Sequence, residues 1–311
     1  MARKLIFLLS GLLFAGIAAG YGAEWHPLLA AAADFRLHLA VLAGGLGVVA
    51  SIFVLRGAAV LAFLSAAIAA SGLGPIFEPA ERPGEGRAVT VLYANLWDRN
   101  PDPIAMRAAL IAADADILIT SETMRSVTDG AGGLRSHYPY RLTSLSPGPV
   151  LRTAIWSKFP LRQTKLYPNN TIAPTGAAAT AELGRGARLG VIGGHFSRAG
   201  EGLQKAQADG LADMAAPLAR PLLVAADFNA APWSWVVRRA EAVTRTRILG
   251  GHRITWKGQY PTPLGPVPAP WGHQIDHVLL SEGVGVGEVS TIRLPGSDHR
   301  GVWVQLLIPA Q

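Results

Sequence analysis

Three apolar stretches fill most of the first 77 residues, and a chain that carries them cannot fold as one ordinary water-soluble domain. Leu5–Ala23, Leu37–Leu55 and Ala58–Phe77 contain no Asp, Glu, Lys or Arg. Each has about the ~20 residues that cross a bilayer. One span from 37 to 77 would be far too long, so Arg56-Gly57 reads as a tight turn between two spans. Gly44, Gly45 and Gly47 suit close helix packing; no basic residue follows them, as a phosphate-cradling loop would require. Arg3, Lys4 and Arg56 then share one side, which the positive-inside rule makes cytoplasmic. Three spans place everything after residue 77 outside the cytoplasm, in a multi-pass protein of the cytoplasmic membrane. A two-span chain would place it inside. Leu5–Ala23 as a cleaved signal is a third reading, although Tyr21, Glu24 and Trp25 suit an interfacial helix end better than a cleavage site.

Composition points the same way. The chain is 50% hydrophobic and 16% charged, with a mean hydropathy of +0.28, which implies a membrane part beside a globular one. Glu78–Arg87 is polar and rich in Pro and Gly, and reads as a linker. The chain thus divides into an anchor at 1–77, a linker at 78–87 and a soluble domain at 88–311. With no cysteine, disulfides and thiolate metal sites are excluded. Six of the 28 basic and five of the 21 acidic residues precede residue 88, which leaves the soluble part at +6. That charge favours an anionic substrate or surface.

Within the soluble part, strands are predicted at Ala88–Leu96, Asp116–Ser121, Tyr138–Leu145, Arg152–Trp156, Thr175–Leu183, Ala187–Phe196, Leu222–Ala226, Ile275–Leu280 and Val302–Ile308. Helices are predicted at Pro101–Ala113, Glu201–Leu218 and Ser234–Ala242. Gln259–Gly272, with five prolines, reads as an extended loop. Helices lying between strand pairs indicate a layered α/β domain with mixed sheets.

The run Leu222–Ala226 breaks into Asp227-Phe228-Asn229. Asp227 and Asn229 are two apart and share a face in strand geometry. Polar groups leaving a core together cost free energy unless they bind something polar. The plain alternative is an Asx turn. Asn95, Glu122, His195, Asp276, Asp298 and His299 also lie at or beside strand ends, where open sheets build sites. Together these residues offer hard oxygen ligands and imidazoles, which suit Mg²⁺ or Mn²⁺ better than zinc. Such an ion beside a base for water is the equipment of phosphoester hydrolysis.

Asn95-Leu96-Trp97, Ser121-Glu122-Thr123, Gly193-Gly194-His195-Phe196, Ala226-Asp227-Phe228-Asn229, Ile275-Asp276-His277-Val278-Leu279 and Gly296-Ser297-Asp298-His299-Arg300 follow one another in order. Each is weak alone; six in order are strong. Over residues 88–311 the chain resembles the endonuclease/exonuclease/phosphatase superfamily. That superfamily includes deoxyribonuclease I-like nucleases, AP endonucleases, neutral sphingomyelinases and inositol-polyphosphate 5-phosphatases. The resemblance implies a four-layer α/β/β/α sandwich. It implies that Glu122 is the main Mg²⁺ ligand, with Asn95 beside it and Asp298 near the metal. Asp227 resembles the residue that orients or deprotonates water, and Asn229 its partner in holding phosphate. His299 resembles the second catalytic imidazole, Asp276 the carboxylate that orients it, and His195 the phosphate-contacting histidine. Ala226 departs from the usual Gly, and Thr120-Ser121 from the usual apolar residue and Gln. With its N-terminal spans the chain is similar to the bacterial membrane-anchored branch, which includes proteins linked to glycopeptide resistance and thought to act on lipid-linked pyrophosphates at the outer face.

The leading expectation is a metal-dependent phosphoesterase acting on a phosphate substrate, lipid-linked in the sharpest form. A nuclease of the same fold is the second reading, since the +6 charge permits nucleic acid as a partner without favouring it. A non-catalytic membrane binding module is the third. His273 and His277 read as surface or supporting residues and Arg152 as a surface cation. Trp233 and Trp235 are assigned to the core in preference to the substrate.

Overall fold

A computed structural model describes residues 2–129, 132–143, 150–167, 174–260, 265–269 and 271–310. Helices α1 (Ala2–Gly20), α2 (Pro27–Asp34), α3 (Arg36–Ile52), α4 (Arg56–Ser71) and the short α5 (Gly74–Phe77) lead the chain. Among the described residues only α1 is alone long and apolar enough to cross a membrane; α2 and α3, bent by 61°, count as a second candidate if taken as one broken span. Three separate spans are not shown by these helices. The 16 residues of α4 rise only about 24 Å, short of a ~30 Å hydrocarbon core. Leu73-Gly74-Pro75 ends it. The turn before it lies at Phe53–Leu55, with Val54 at φ 57°, and not at Arg56-Gly57.

The helices pack through small residues, with Ala43, Ala50, Ala62 and Ala69 buried. A Cβ on Gly47 would lie 2.8 Å from the Phe63 ring, so that glycine sets the approach of α3 to α4. Their outer surface is unlike the rest of the chain. Of 24 exposed large hydrophobic residues among those described, 20 lie between Leu5 and Phe77. An apolar surface of that extent needs a partner other than water.

The domain holds β1 (Arg87–Asn95), α6 (Pro103–Ala112), β2 (Ile117–Met124), the short α7 (Arg125–Thr128) and α8 (Leu134–His137), β3 (Tyr140–Thr143), β4 (Val150–Ser157), β5 (Leu161–Tyr167), β6 (Thr175–Gly184), β7 (Ala187–His195), α9 (Gln204–Ala215), β8 (Leu222–Asp227), α10 (Trp235–Thr244), β9 (Arg247–Ile248), β10 (Gln259–Tyr260), β11 (Val267–Pro268), β12 (Asp276–Leu280), β13 (Gly285–Arg293) and β14 (Arg300–Ile308). One sheet runs β13-β14-β1-β2-β4-β3 and the other β5-β6-β7-β8-β12-β9, with β10-β11 a separate ribbon in the proline-rich loop. The sheets face each other across Val89, Val91, Ile117, Ile119, Ala177, Ala179, Val191, Leu223 and Val278. Strand alternation turns Leu92, Ala94 and Leu118 outward to Met106 and Leu110 of α6. Ile192, Leu222 and Val224 turn outward to Leu211 and Met214 of α9 and Val237 of α10. The result is the four-layer α/β/β/α sandwich. Gly193 lets the sheets close, since a Cβ there would sit 2.5 Å from Ile119 Cγ2.

Besides the two-residue strands β9, β10 and β11, two longer strands escape the sequence pattern. Strand β5 is an edge strand whose middle residues are exposed, and β13 is an edge strand that is exposed or half-buried beyond Val286. Neither alternates cleanly. The segment before β1 lies on the domain, where Arg82 pairs with Val286 and donates to the Ile248 carbonyl at 2.6 Å.

Helix α2 docks on the loop that follows β8. The Asp34 carboxylate accepts the Ala231 N–H at 2.9 Å, and the Trp233 indole donates to the Ala33 carbonyl at 2.7 Å. Trp233 is therefore a core residue, packed with Leu73 and Ala231 beside Leu37 and Ile76. A buried N–H left without its acceptor costs ~1–3 kcal/mol. Asp34→Ala is therefore expected to speed amide hydrogen exchange at Ala231 about tenfold or more. Asp34→Asn, which keeps an acceptor oxygen, should restore most of the protection.

Candidate active site

Strand register gathers the polar residues at one end of the sandwich. Asn95 pairs with Ser121 at the ends of β1 and β2. His195 pairs with Asp227 in parallel across β7 and β8, and Asp227 pairs with Asp276 across β8 and β12. Residues 26 to 49 positions apart in sequence thus become lateral neighbours. Asn95, Glu122, His195, Asp227, Asn229, Asp276, Asp298 and His299 all enter one web of polar contacts.

Asp227 is buried at its centre. One carboxylate oxygen accepts the Asn229 N–H at 2.8 Å, so the Asx turn is real. The other accepts Asn95 Nδ2 at 3.0 Å and lies 3.6 Å from His195 Nε2 and 3.9 Å from His299 Nε2. Burial, reinforced by the Asp276 charge, pushes its pKa up to about 6 against the opposing pull of the two imidazoles. Asn229 adopts φ 47°, a left-handed conformation that Asn tolerates better than most residues. That break ends the strand period. The Asn229 amide turns toward β7, donating to the Phe196 carbonyl at 2.9 Å beside His195 Nε2 at 3.4 Å.

Glu122 also adopts a left-handed φ, 49°, at a cost of ~1–3 kcal/mol that the surrounding contacts must offset. It lies in β2, three residues before α7. Its carboxylate accepts Asn95 Nδ2 at 3.0 Å and the Asp98 N–H at 3.1 Å, and lies 3.6 Å from His195 Nε2. Burial works to raise its pKa, but the His195 charge and these two hydrogen bonds prevail and hold it below the ordinary value. Asn95 brings its amide nitrogen, not its oxygen, to the two carboxylates; the oxygen accepts the Trp97 N–H at 3.0 Å.

His299 is buried, with Nδ1 2.9 Å from Asp276 Oδ2. Burial alone would lower its pKa, but Asp276, then Asp227 and Asp298, raise it to about 10. The ring is therefore an imidazolium at neutral pH, oriented by Asp276 with Nε2 toward Asp227 and Asp298. Asp298 Oδ2 accepts the Trp256 indole N–H at 2.8 Å.

The donor set fits a divalent cation. Glu122, His195 and Asp227 offer ligand atoms within 4.8 Å of one another, as do Asp227, Asp276 and His299. Asp298 Oδ1 and Asp276 Oδ1 are buried without a hydrogen-bond partner. Buried orphan carboxylate oxygens are costly unless a cation or water meets them.

Supporting residues came from outside the motifs. The Tyr93 hydroxyl accepts the Asp227 N–H at 2.6 Å and donates to Ser121 Oγ at 2.9 Å. Gln204 donates to the Phe228 carbonyl at 3.1 Å. Trp256, Tyr93 and Gln204 carry no signal in the sequence, whereas Ser297, which donates to the Asn95 carbonyl and accepts the His299 N–H, lies inside a recognised motif. His273 and His277 are buried, against the surface reading, because Trp256 and Phe228 pack on them. The Arg152 side chain lies outside the described residues.

His277 Nε2 donates to the Ala230 carbonyl at 2.8 Å beneath the loop after β8, and burial lowers its pKa from 6.5 to about 4. The unfolded chain takes up this proton first as pH falls. The stability that depends on neutral His277 is thus complete above about pH 6.5 and lost on the way to about pH 4. The stability advantage of wild type over His277→Asn should shrink by about 3 kcal/mol between pH 7 and 4, as measured by urea unfolding at each pH.

With the geometry in view, comparison with known proteins is specific as to family. The Endonuclease/Exonuclease/phosphatase family profile matches residues 91–299. Comparison with curated proteins found no match. The catalytic domain of human Nocturnin with bound sulfate is similar at TM-score 0.54 and 18% identity, covering 74% of this chain and 100% of that one. Sphingomyelinase C from Streptomyces griseocarneus is similar at 0.51 and 16%, covering 70% and 99%. A 3′ phosphatase from Neisseria bound to a product DNA hairpin is similar at 0.51 and 17%, covering 70% and 98%. At such identities the structures speak to fold alone. The profile match spans well over half of the chain, which therefore belongs to the Endonuclease/Exonuclease/phosphatase family, whose members are divalent-metal-dependent phosphoester hydrolases.

Proposed function

We propose that this hydrolase acts with Mg²⁺ or Mn²⁺ on a lipid-borne phosphate ester or pyrophosphate at a membrane surface. The observation that carries this reading is the seating of the loop after Asp227-Phe228-Asn229 on α2, within a helical region whose outer surface is apolar. Helix α1 spans the membrane with Arg3 and Lys4 on the cytoplasmic side, which leaves the domain outside. Helices α3 and α4 share its apolar surroundings.

Glu122, Asp298 and Asp227 would hold the cation, while Asn95 bridges Glu122 to Asp227. When bound, the cation would supply charge neutralisation to the phosphate and the leaving oxygen. Asp227, with its pKa near 6, takes the proton of the attacking water. The water oxygen bonds phosphorus as the bond from phosphorus to the leaving oxygen breaks. His299, held by Asp276, presents a cationic N–H to the phosphate oxygens. His195 and Asn229 hold the phosphate from the β7 side.

Purified full-length protein should release phosphate from a lipid pyrophosphate with Mg²⁺ or Mn²⁺. EDTA should abolish the activity at least a hundredfold, and excess Mg²⁺ should restore it. A plasmid-nicking assay in parallel distinguishes a nuclease, for which nicking would outpace lipid hydrolysis. No metal-dependent turnover on either substrate would overturn the proposal.

A further inference from the structure

A cavity of about 200 Å³ separates the start of α3 from the domain. That exceeds the ~150 Å³ of an apolar cavity able to take up benzene. Leu37, Val41, Ala231, Trp233, Trp271 and His273 line it. Its lining is mainly apolar, and burial lowers the His273 pKa to about 4, which keeps that ring neutral. At one border stand Val41, 58% exposed on α3, and Trp271, 48% exposed on the domain. Val41 continues the apolar outer face of Leu42, Val48, Val49 and Ile52. An exposed Trp beside it is the side chain that membrane–water boundaries favour.

Other parts of the lining are tied to the catalytic centre through the backbone. Ala231 is two residues beyond Asn229. Trp256 pairs across the backbone with both His273 and His299. Two cross-strand steps of ~5 Å put the cavity wall about 10 Å from the catalytic imidazole. The indole of Trp256 also donates to Asp298. A molecule with its phosphate among Asp227, His195 and His299 and with an aliphatic chain would therefore meet this cavity within the first part of its chain.

We propose that the cavity is a hydrocarbon subsite, which holds the proximal part of the chain of the same membrane lipid whose phosphate is being hydrolysed. It rests on the lipid-phosphate reading above and adds a defined place for the chain. The bilayer supplies the occupant, because the cavity borders the apolar face of α3.

Full-length protein in nanodiscs would be tested with ethyl, hexyl and decyl phosphate, and with decyl phosphate carrying a diazirine midway along its chain. The expected result is a kcat/KM at least tenfold higher for decyl than for ethyl phosphate. Photo-adducts should fall on Leu37–Val41, Ala231–Trp233 and Trp271–Gln274, and be displaced by unlabelled decyl phosphate but not by ethyl phosphate. Leu37→Trp, which fills the cavity, should cut adducts at Trp271–Gln274 at least tenfold; Val41→Trp at its border is a second variant should the first fail to fold. Adducts confined to the outer faces of α1 and α4, with equal rates on all three chains, would overturn the subsite while leaving the phosphoesterase reading intact. Specific cavity adducts without hydrolysis of any probe would support the subsite and count against that reading.

Discussion

Asp227→Asn is expected to lower kcat/KM for phosphoester hydrolysis by about 10³-fold or more in a protein that still folds. A positioned general base contributes ~10²–10⁴-fold, and this carboxylate also faces the proposed cation. The amide keeps one oxygen to accept the Asn229 N–H, so the turn that shapes the loop survives. What disappears is the negative charge between His195 and His299, and with it the acceptor for the water proton. Circular dichroism and the unfolding midpoint should stay near wild type. Activity within tenfold of wild type at saturating Mg²⁺ would remove Asp227 from the mechanism.

Asp276→Ala should damage stability as well as activity. The pair it forms with His299 is buried on both sides and 2.9 Å long. Removing one partner of such a pair costs ~3–5 kcal/mol, because the other charge is left in a poor solvent. The pH dependence offers an independent check. A raised imidazole pKa stabilises the fold fully below 6.5, and that contribution is lost as pH climbs through about 10. The variant should lack much of this alkaline decline, since burial then acts on His299 with less opposition. Activity should fall at least a hundredfold because the ring loses its fixed orientation. A loss of less than 1 kcal/mol with the alkaline decline unchanged would show that Asp276 does not hold His299.

The eight polar residues expected at strand ends do meet at one end of the sandwich, and the reason is legible. A short apolar strand such as Leu222–Ala226 can only be a core strand, so polar residues at its tip must emerge at the end of the sheet. Largely apolar runs likewise marked β6 and β7, and period-two alternation marked β14. It failed at β5 and β13, edge strands with exposed or half-buried residues on both faces and so no clean alternation. It also failed at Asn229, where a left-handed backbone turned the side chain toward β7. Hydropathy identified the apolar N-terminal region but not its segmentation. It measures transfer from water; helix length also depends on where Phe35 and the Val54 turn interrupt the backbone.

Local chemistry in the chain settles the apolar N-terminal region, most strands, the absence of thiol chemistry and the set of carboxylates and imidazoles. These depend on neighbouring residues, whose spacing is written in the sequence. Tertiary packing alone decides that Asn95 Nδ2 bridges Glu122 to Asp227, that Trp256 ties the His273 cavity wall to Asp298 and His299, and that α2 supports the loop after β8. Those contacts join positions from 17 to nearly 200 residues apart, and their geometry follows from the closure of two sheets and the docking of a helix, which no local periodicity encodes.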